Sequence, residues 1–292
     1  MQRVVLALAL ICAATVGGCS EGVLDPKGLI AAAERQILFN SLGIMLAIVI
    51  PTILATLGAA FWFRASNARA RYMPDFAYSG RLEMLVWSIP IMTVLLVGGV
   101  AWVGSHDLDP PKPIASAIKP VRVQVISLDW KWLFIYPEQG IAAVNQLTIP
   151  VGTPVSFELT SSSVMNSFWV PQLGGQIYTM AGMTTRLHLQ ADHPGTYRGA
   201  SANYSGEGFA DMRFNVDAVP AEKFAQWVDT ARSAGPVLDA QAYADLAKPS
   251  KAVAPFTYRS AAPGLFNGIV NAGMLPRDPS SIPHHMSQRA DK

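Results

Sequence analysis

Two long apolar runs fill much of the first hundred residues, and short alternating runs follow them. The stretch 37–63, ILFNSLGIMLAIVIPTILATLGAAFWF, carries no charged residue, and 82–104, LEMLVWSIPIMTVLLVGGVAWVG, carries only Glu83. Each exceeds the roughly 20 apolar residues that a helix needs to cross a bilayer. Pro51 and Pro90 lie inside the runs, and membrane helices tolerate proline when neighbouring groups satisfy the freed carbonyls. Trp62 and Trp102 stand near the ends, where amphipathic rings favour the interface. The pattern predicts transmembrane helices over 37–63 and 82–104.

The period changes after a proline-rich linker, 105–119. Val121, Val123 and Val125 alternate with polar residues, and Trp130, Trp132, Phe134 and Tyr136 repeat the two-residue spacing. Further short runs follow, separated by Gly, Pro, Asn and Ser, which predicts an antiparallel β-sandwich or barrel over 120–219. Beyond it, 220–275 has helical spacing, with Phe224, Trp227 and Val228 on one face. The end, 276–292, reads as a solvated tail, and its pair His284 and His285 as an exposed terminal pair without a metal.

Composition sharpens this division. The chain has 292 residues, 51% of them hydrophobic and 14% charged, which is too apolar for an ordinary soluble globule. A net charge of +2 gives no indication of nucleic-acid binding. The loop 64–81 holds Arg64, Arg69, Arg71 and Arg81 against Asp75, so the positive-inside bias places it in the cytoplasm and both termini outside. The only cysteines are Cys12 and Cys19. Residues 1–18 have the layout of a secretory signal, and Val16-Gly17-Gly18-Cys19 reads as a bacterial lipoprotein box with lipid on Cys19. An ordinary signal peptide that contains a cysteine is the alternative. Either cleavage leaves no internal disulfide, and 19–36 becomes an outer N-terminal segment. Glu83 has two readings: a carboxylate favoured by the helix macrodipole, or a proton acceptor at a membrane surface.

A lipobox, two spans around a cytoplasmic loop, an outer sandwich and helical C-terminal additions together resemble subunit II of the haem–copper respiratory oxidases. The likeness is strongest in SLDWKW, SSSVMNSFWVPQLGGQIYTMAGM and GASANYSGEGFADM (199–212). It implies a fold of mixed class, membrane α plus all-β: a two-helix transmembrane hairpin, a periplasmic cupredoxin-like sandwich and C-terminal helices. Copper-bearing members of the family use two thiolates, two imidazoles, a thioether and a carbonyl, soft donors suited to copper. On this chain the upstream histidine falls at Asn166, and the loop positions fall at Ser201, Asn203, Ser205, Phe209 and Met212. Only Met212 keeps a suitable side chain.

That departure resembles the quinol oxidase branch, the cytochrome bo type, whose subunit II keeps the fold without copper. The resemblance implies a non-redox subunit with no cofactor of its own and no cytochrome c partner. Haem and copper belong to a partner subunit I, which oxidises ubiquinol, reduces oxygen to water and pumps protons; further small membrane subunits and the lipid bilayer complete its surroundings. The expected location is the bacterial inner membrane, multi-pass and lipid-anchored, with the large domain in the periplasm. The resemblance also implies a proton-uptake role for Glu83, and leaves Trp130 and Trp132 as packing residues. The competing reading is a free-standing membrane lipoprotein whose sandwich binds a partner or small molecule.

Overall fold

The computed structural model describes residues 22–71 and 73–273. Cys19, His284 and His285 lie outside these residues. The described residues divide into two compact units: those within 33–109, and residues 22–32 with 110–273.

The first unit is built on helices α1 (Leu29–Trp62) and α2 (Gly80–Asp107). At about 1.5 Å per residue, either is long enough to span a bilayer. Large apolar side chains are exposed along both, among them Leu54, Leu57, Met84, Val94 and Leu95. Helix α1 starts at Leu29, ahead of the apolar run at 37, because the more polar stretch LIAAAERQ has good helix formers. Near the end of α2, Gly104 lies against Ile37 and leaves no room for a β-carbon.

The second unit is a β-sandwich. Its six-stranded sheet has the order β12-β3-β2-β1-β5-β8 and its five-stranded sheet the order β4-β10-β9-β6-β7, with β5 at Val155–Ser161, β7 at Ile177–Thr179, β8 at Thr185–Leu189 and β12 at Phe256–Tyr258. The strands that matter below are β1 (Val121–Leu128), β2 (Lys131–Tyr136), β3 (Ile141–Val144), β4 (Gln146–Pro150), β6 (Asn166–Trp169), β9 (Gly195–Ser201) and β10 (Arg213–Val219). The two-residue period divides β1, β2 and β3 between two cores. Trp132, Phe134 and Tyr136 of β2 point between the sheets, where Phe168 and Phe214 stack with ring centroids 5.1 Å apart. Leu133 and Ile135 point the other way, into a second core.

That second core explains the C-terminal extension. Helix α3 (Ala221–Ser233) puts Phe224, Val228 and Ala231 onto the sandwich core. Helix α4 is Ala240–Leu246, and α5 (Leu265–Gly273) covers the outer face of the six-stranded sheet with Phe266, Ile269 and Val270. Three short strands accompany these helices, although helical spacing alone was expected there. β11 (Val237–Leu238) pairs with β13 (Ser260–Ala261), and β12 (Phe256–Tyr258) extends the six-stranded sheet beside β3. Two or three residues are too few to establish a period, so only sheet pairing reveals them. The N-terminal segment also joins this unit. Lys27 bonds Gln172 and Asp192 through its backbone, and Gly28 sits so close to the Gln190 carbonyl that a side chain would collide with it.

Asn145 turns the chain from one sheet to the other. It is the single residue between β3 and β4, its φ is 54°, and it is buried. Asparagine tolerates this left-handed conformation better than most residues with a β-carbon. Its Oδ1 accepts from the Trp132 amide at 2.8 Å, and its Nδ2 donates to the Val253 carbonyl at 2.8 Å. Its own amide donates to the Trp132 carbonyl at 2.9 Å, and its carbonyl accepts from Asn215 at 3.3 Å. Tyr136 adds a second tie between sheets, donating to the Thr148 carbonyl and accepting from the Thr148 amide, both at 2.9 Å.

Asn145→Gly keeps the backbone conformation but strands two partners, an expected loss of about 1–3 kcal/mol. Asn145→Ala should lose a further ~1–2 kcal/mol through left-handed strain. Urea unfolding of the full chain would measure both; equal midpoints for the two variants would exclude the backbone constraint.

Candidate functional site

The loop between β9 and β10 gathers most of the residues singled out in the sequence. Ser201 ends β9, and its hydroxyl faces Asn166 Oδ1 on β6 at 3.1 Å and the Asn203 carbonyl at 3.2 Å. Asn166 Nδ2 donates to the Val164 carbonyl, and Asn203 Nδ2 to the Met165 carbonyl, each at 3.1 Å. The Ala202 amide donates to the Ser167 carbonyl at 2.9 Å. Amide and hydroxyl groups therefore stitch the start of the loop to the segment 164–167. Asn166 and Ser201 are buried, and burial makes such pairing obligatory.

The rest of the loop is held by packing. Residues Phe209–Asp211 form a single 3-10 turn, and the Phe209 ring meets Tyr204 edge-on at 5.6 Å. Met212 is buried in the sandwich core. The Ser205 hydroxyl points at its sulfur from 3.9 Å, and its carbonyl accepts from the Ser201 amide at 3.1 Å. Asn166, Ser201 and Asn203 thus share one hydrogen-bond network, Ser205 and Met212 form a separate contact, and Phe209 stands apart against Tyr204.

Trp130 forms the floor of this loop. It occupies the two-residue turn between β1 and β2 with φ 65°, an unusual conformation for a bulky side chain. Its indole N–H donates to the Ser205 carbonyl at 3.0 Å. The ring packs so tightly on Gly208 that a β-carbon there would collide with it. Strain of this kind persists only where surrounding contacts over-determine it.

A strap from the C-terminal extension closes over the same hairpin. Lys131 is buried, and its Nζ donates to the Lys248 carbonyl at 2.7 Å and to Ser250 Oγ at 2.5 Å. Desolvation lowers its pKa, partly opposed by the charge of Asp129. Lys251 pairs with Glu207 of the loop at 2.8 Å, and its ammonium lies 5.7 Å from the Trp130 ring centroid. With Asn145 Nδ2 on the Val253 carbonyl, residues 248–253 touch the turn, the loop and the sheet-crossing corner. Sequence reading missed Lys131 and Asn145. The polar residue dividing IAAV from QLTIP was the available sign of a corner, whereas nothing local marks Lys131 as buried.

The donor set of the loop is now defined. Two hydroxyls, two amides and one thioether occupy these positions, and hard oxygen donors do not make the thiolate and imidazole environment that a dinuclear copper site requires. Among the described residues, no group of three His, Cys, Asp or Glu side chains could hold a metal ion.

Glu83 lies in the first turn of α2. Its amide donates to the Ser79 carbonyl at 2.9 Å, and its Oε2 accepts from Trp87 Nε1 at 3.2 Å, one helical turn on.

The cytochrome c oxidase subunit II, periplasmic domain family matches residues 137–219, and the COX aromatic-rich motif matches residues 232–276. Cytochrome bo(3) ubiquinol oxidase subunit 2 of Pseudomonas aeruginosa is 47% identical over 263 residues, covering 90% of this chain and 80% of that one. Ubiquinol oxidase subunit 2 of Acetobacter aceti is 46% identical over 280 residues, covering 94% and 91%. The chain belongs to the ubiquinol oxidase subunit 2 family. The structure is also similar to the periplasmic domain of subunit II of cytochrome oxidase from Bradyrhizobium japonicum, with 22% identity, a TM-score of 0.38, and coverage of 42% of this chain and 96% of that one. In this member of the ubiquinol oxidase subunit 2 family, the strap 248–253 falls inside the aromatic-rich motif. The motif's match therefore includes the segment that secures Trp130 and the loop.

Gly208→Ala should displace Trp130 or the loop and break the bond to Ser205. Hydrogen exchange across 201–212 is expected to quicken by an order of magnitude or more, equivalent to about 1.4 kcal/mol, with the strands unchanged. Exchange as slow as in the parent chain would exclude the Trp130 seat as a restraint.

Proposed function

We propose that this chain is the non-redox structural subunit of a proton-pumping ubiquinol oxidase. Quinol oxidation and the reduction of oxygen to water belong to a haem- and copper-bearing partner subunit I, and further small membrane subunits complete the assembly. The observation that carries this reading is the Asn166–Ser201–Asn203 network, in which groups at the positions that the resemblance matches to copper ligands bond to one another. The loop acts as a scaffold, with exposed Val164, Met165 and Tyr204 beside it as apolar surface for the partner. The names of the relatives support the oxidase over a free-standing lipoprotein. A lipid-soluble donor has no need of an aqueous electron relay, so cytochrome c has no part in the scheme.

The two apolar helices and the match to a periplasmic domain support an inner-membrane protein. In this reading Cys19 carries lipid, the loop 64–81 is cytoplasmic and the sandwich faces the periplasm. Glu83, at the cytoplasmic end of its span, accepts protons bound for subunit I, and Trp87 holds its carboxylate in place.

Metal analysis of the full chain separated from its partners should find copper far below one ion per chain. Near-stoichiometric copper with near-infrared absorbance would defeat the proposal. Glu83→Gln retains an acceptor for Trp87 but cannot titrate, so it should slow turnover several-fold with assembly intact. Unchanged turnover across pH would return Glu83 to a helix-terminus role.

A further inference from the structure

The connection between α1 and α2 is ordered around one side chain. Asn67 Nδ2 donates to the Trp62 carbonyl at 2.6 Å, and its Oδ1 accepts from the Arg69 amide at 3.2 Å. Its amide donates to the Arg64 carbonyl at 3.0 Å, and its carbonyl accepts from the Ala70 amide at 3.2 Å. Two consecutive turns therefore follow the end of the helix directly and carry Arg64, Arg69 and Arg71 close to it. Arg64 lies 3.9 Å from the Phe61 ring centroid and donates to Ser66 at 3.0 Å. Arg64, Arg69, Arg71 and Arg81 are all exposed, and none of the ion pairs among the described residues involves them.

The surroundings are apolar. Phe61, Trp62, Phe63, Met73, Phe76 and Tyr78 are exposed in the same stretch. A cavity of about 420 Å³ opens at the start of α2, with Arg81 on a wall otherwise made by Gly80, Met84, Leu85, Ser88 and Ile89. Guanidinium groups bind phosphate through a planar fork. Exposed aromatics and a largely apolar wall suit acyl chains at the membrane interface.

We propose that this turn is a binding surface for an anionic phospholipid, with its headgroup on Arg64, Arg69 and Arg71 and its acyl chains against the exposed rings of Phe61, Trp62 and Phe63. The proposal rests on the reading of α1 and α2 as membrane spans with this loop at the cytoplasmic surface. Charge complementarity selects the occupant: four arginines stand against Asp75 alone in 64–81, and a basic side chain at an anionic leaflet strengthens association about fivefold, equivalent to about 1 kcal/mol.

The test uses the assembly isolated with the full chain, reconstituted in phosphatidylcholine vesicles. Spin-labelled phosphatidylglycerol and phosphatidylcholine report the preference for the anionic lipid. Arg69→Gln with Arg71→Gln should lower that preference several-fold, whereas lysine at both positions should preserve most of it. Asn67→Ala keeps every charge but loses the turn, and should lower the preference in part. An unchanged preference in the glutamine variant, or in Asn67→Ala, would overturn the proposed surface. A membrane-impermeant thiol reagent acting on Ser66→Cys tests the orientation separately. Labelling from outside would refute the orientation reading, while protection from outside with an unchanged glutamine variant would refute the lipid surface alone.

Discussion

The sandwich depends on one residue that leaves one sheet and enters the other within a single step. Asn145 must adopt a left-handed backbone in a buried setting, and each of its polar groups has a fixed partner. Its bonds to Trp132 set where β2 sits beneath the corner. Its carbonyl receives Asn215 as the parallel pairing of β4 with β10 begins. Its amide group reaches the C-terminal strap at Val253. Buried backbone groups must be paired, so this corner couples the two sheets and the extension in one network.

The same dependence explains how a loop built like a ligand cradle stays ordered with these donors. A metal would fix several loop atoms through a few strong bonds. Here the fixing is distributed between the Asn166–Ser201–Asn203 network, the seat of Trp130 against Gly208, and the strap anchored by Lys131 and Lys251. The Lys131 ammonium is costly to bury, and two carbonyls and a hydroxyl compensate it in place of a carboxylate. The Lys251–Glu207 pair is solvent-exposed on both sides and contributes little on its own. Its value lies in directing the strap across the indole.

The parts legible in the sequence were those with a period. Apolar length announced the helices, and alternation announced the strands of the sandwich. Phe224 and Val228 were recognisable as a helix face because helical spacing survives over thirteen residues. Strands β11, β12 and β13 offered too few residues for that. Lys131 was hidden for another reason: its burial is created by Lys248 and Ser250, more than a hundred positions away, and no local pattern encodes such a contact. Asn67 was equally silent, since a loop asparagine acquires importance only through the four bonds that it makes.

Met212 illustrates how a resemblance and a structure answer different questions. By resemblance it is the one surviving ligand position, a remnant among substituted neighbours. In the structure it is a core residue, almost fully buried with Trp132, Phe168 and Phe214 in the same cluster. A flexible, polarizable thioether fills an irregular aromatic gap well, and the Met212 carbonyl closes the loop by accepting from Ser201. Packing is therefore sufficient to account for a methionine at this position. Ser201, Asn203 and Ser205 around it are instead held by hydrogen bonds or by contact with its sulfur, so small polar groups meet the needs of the fold there.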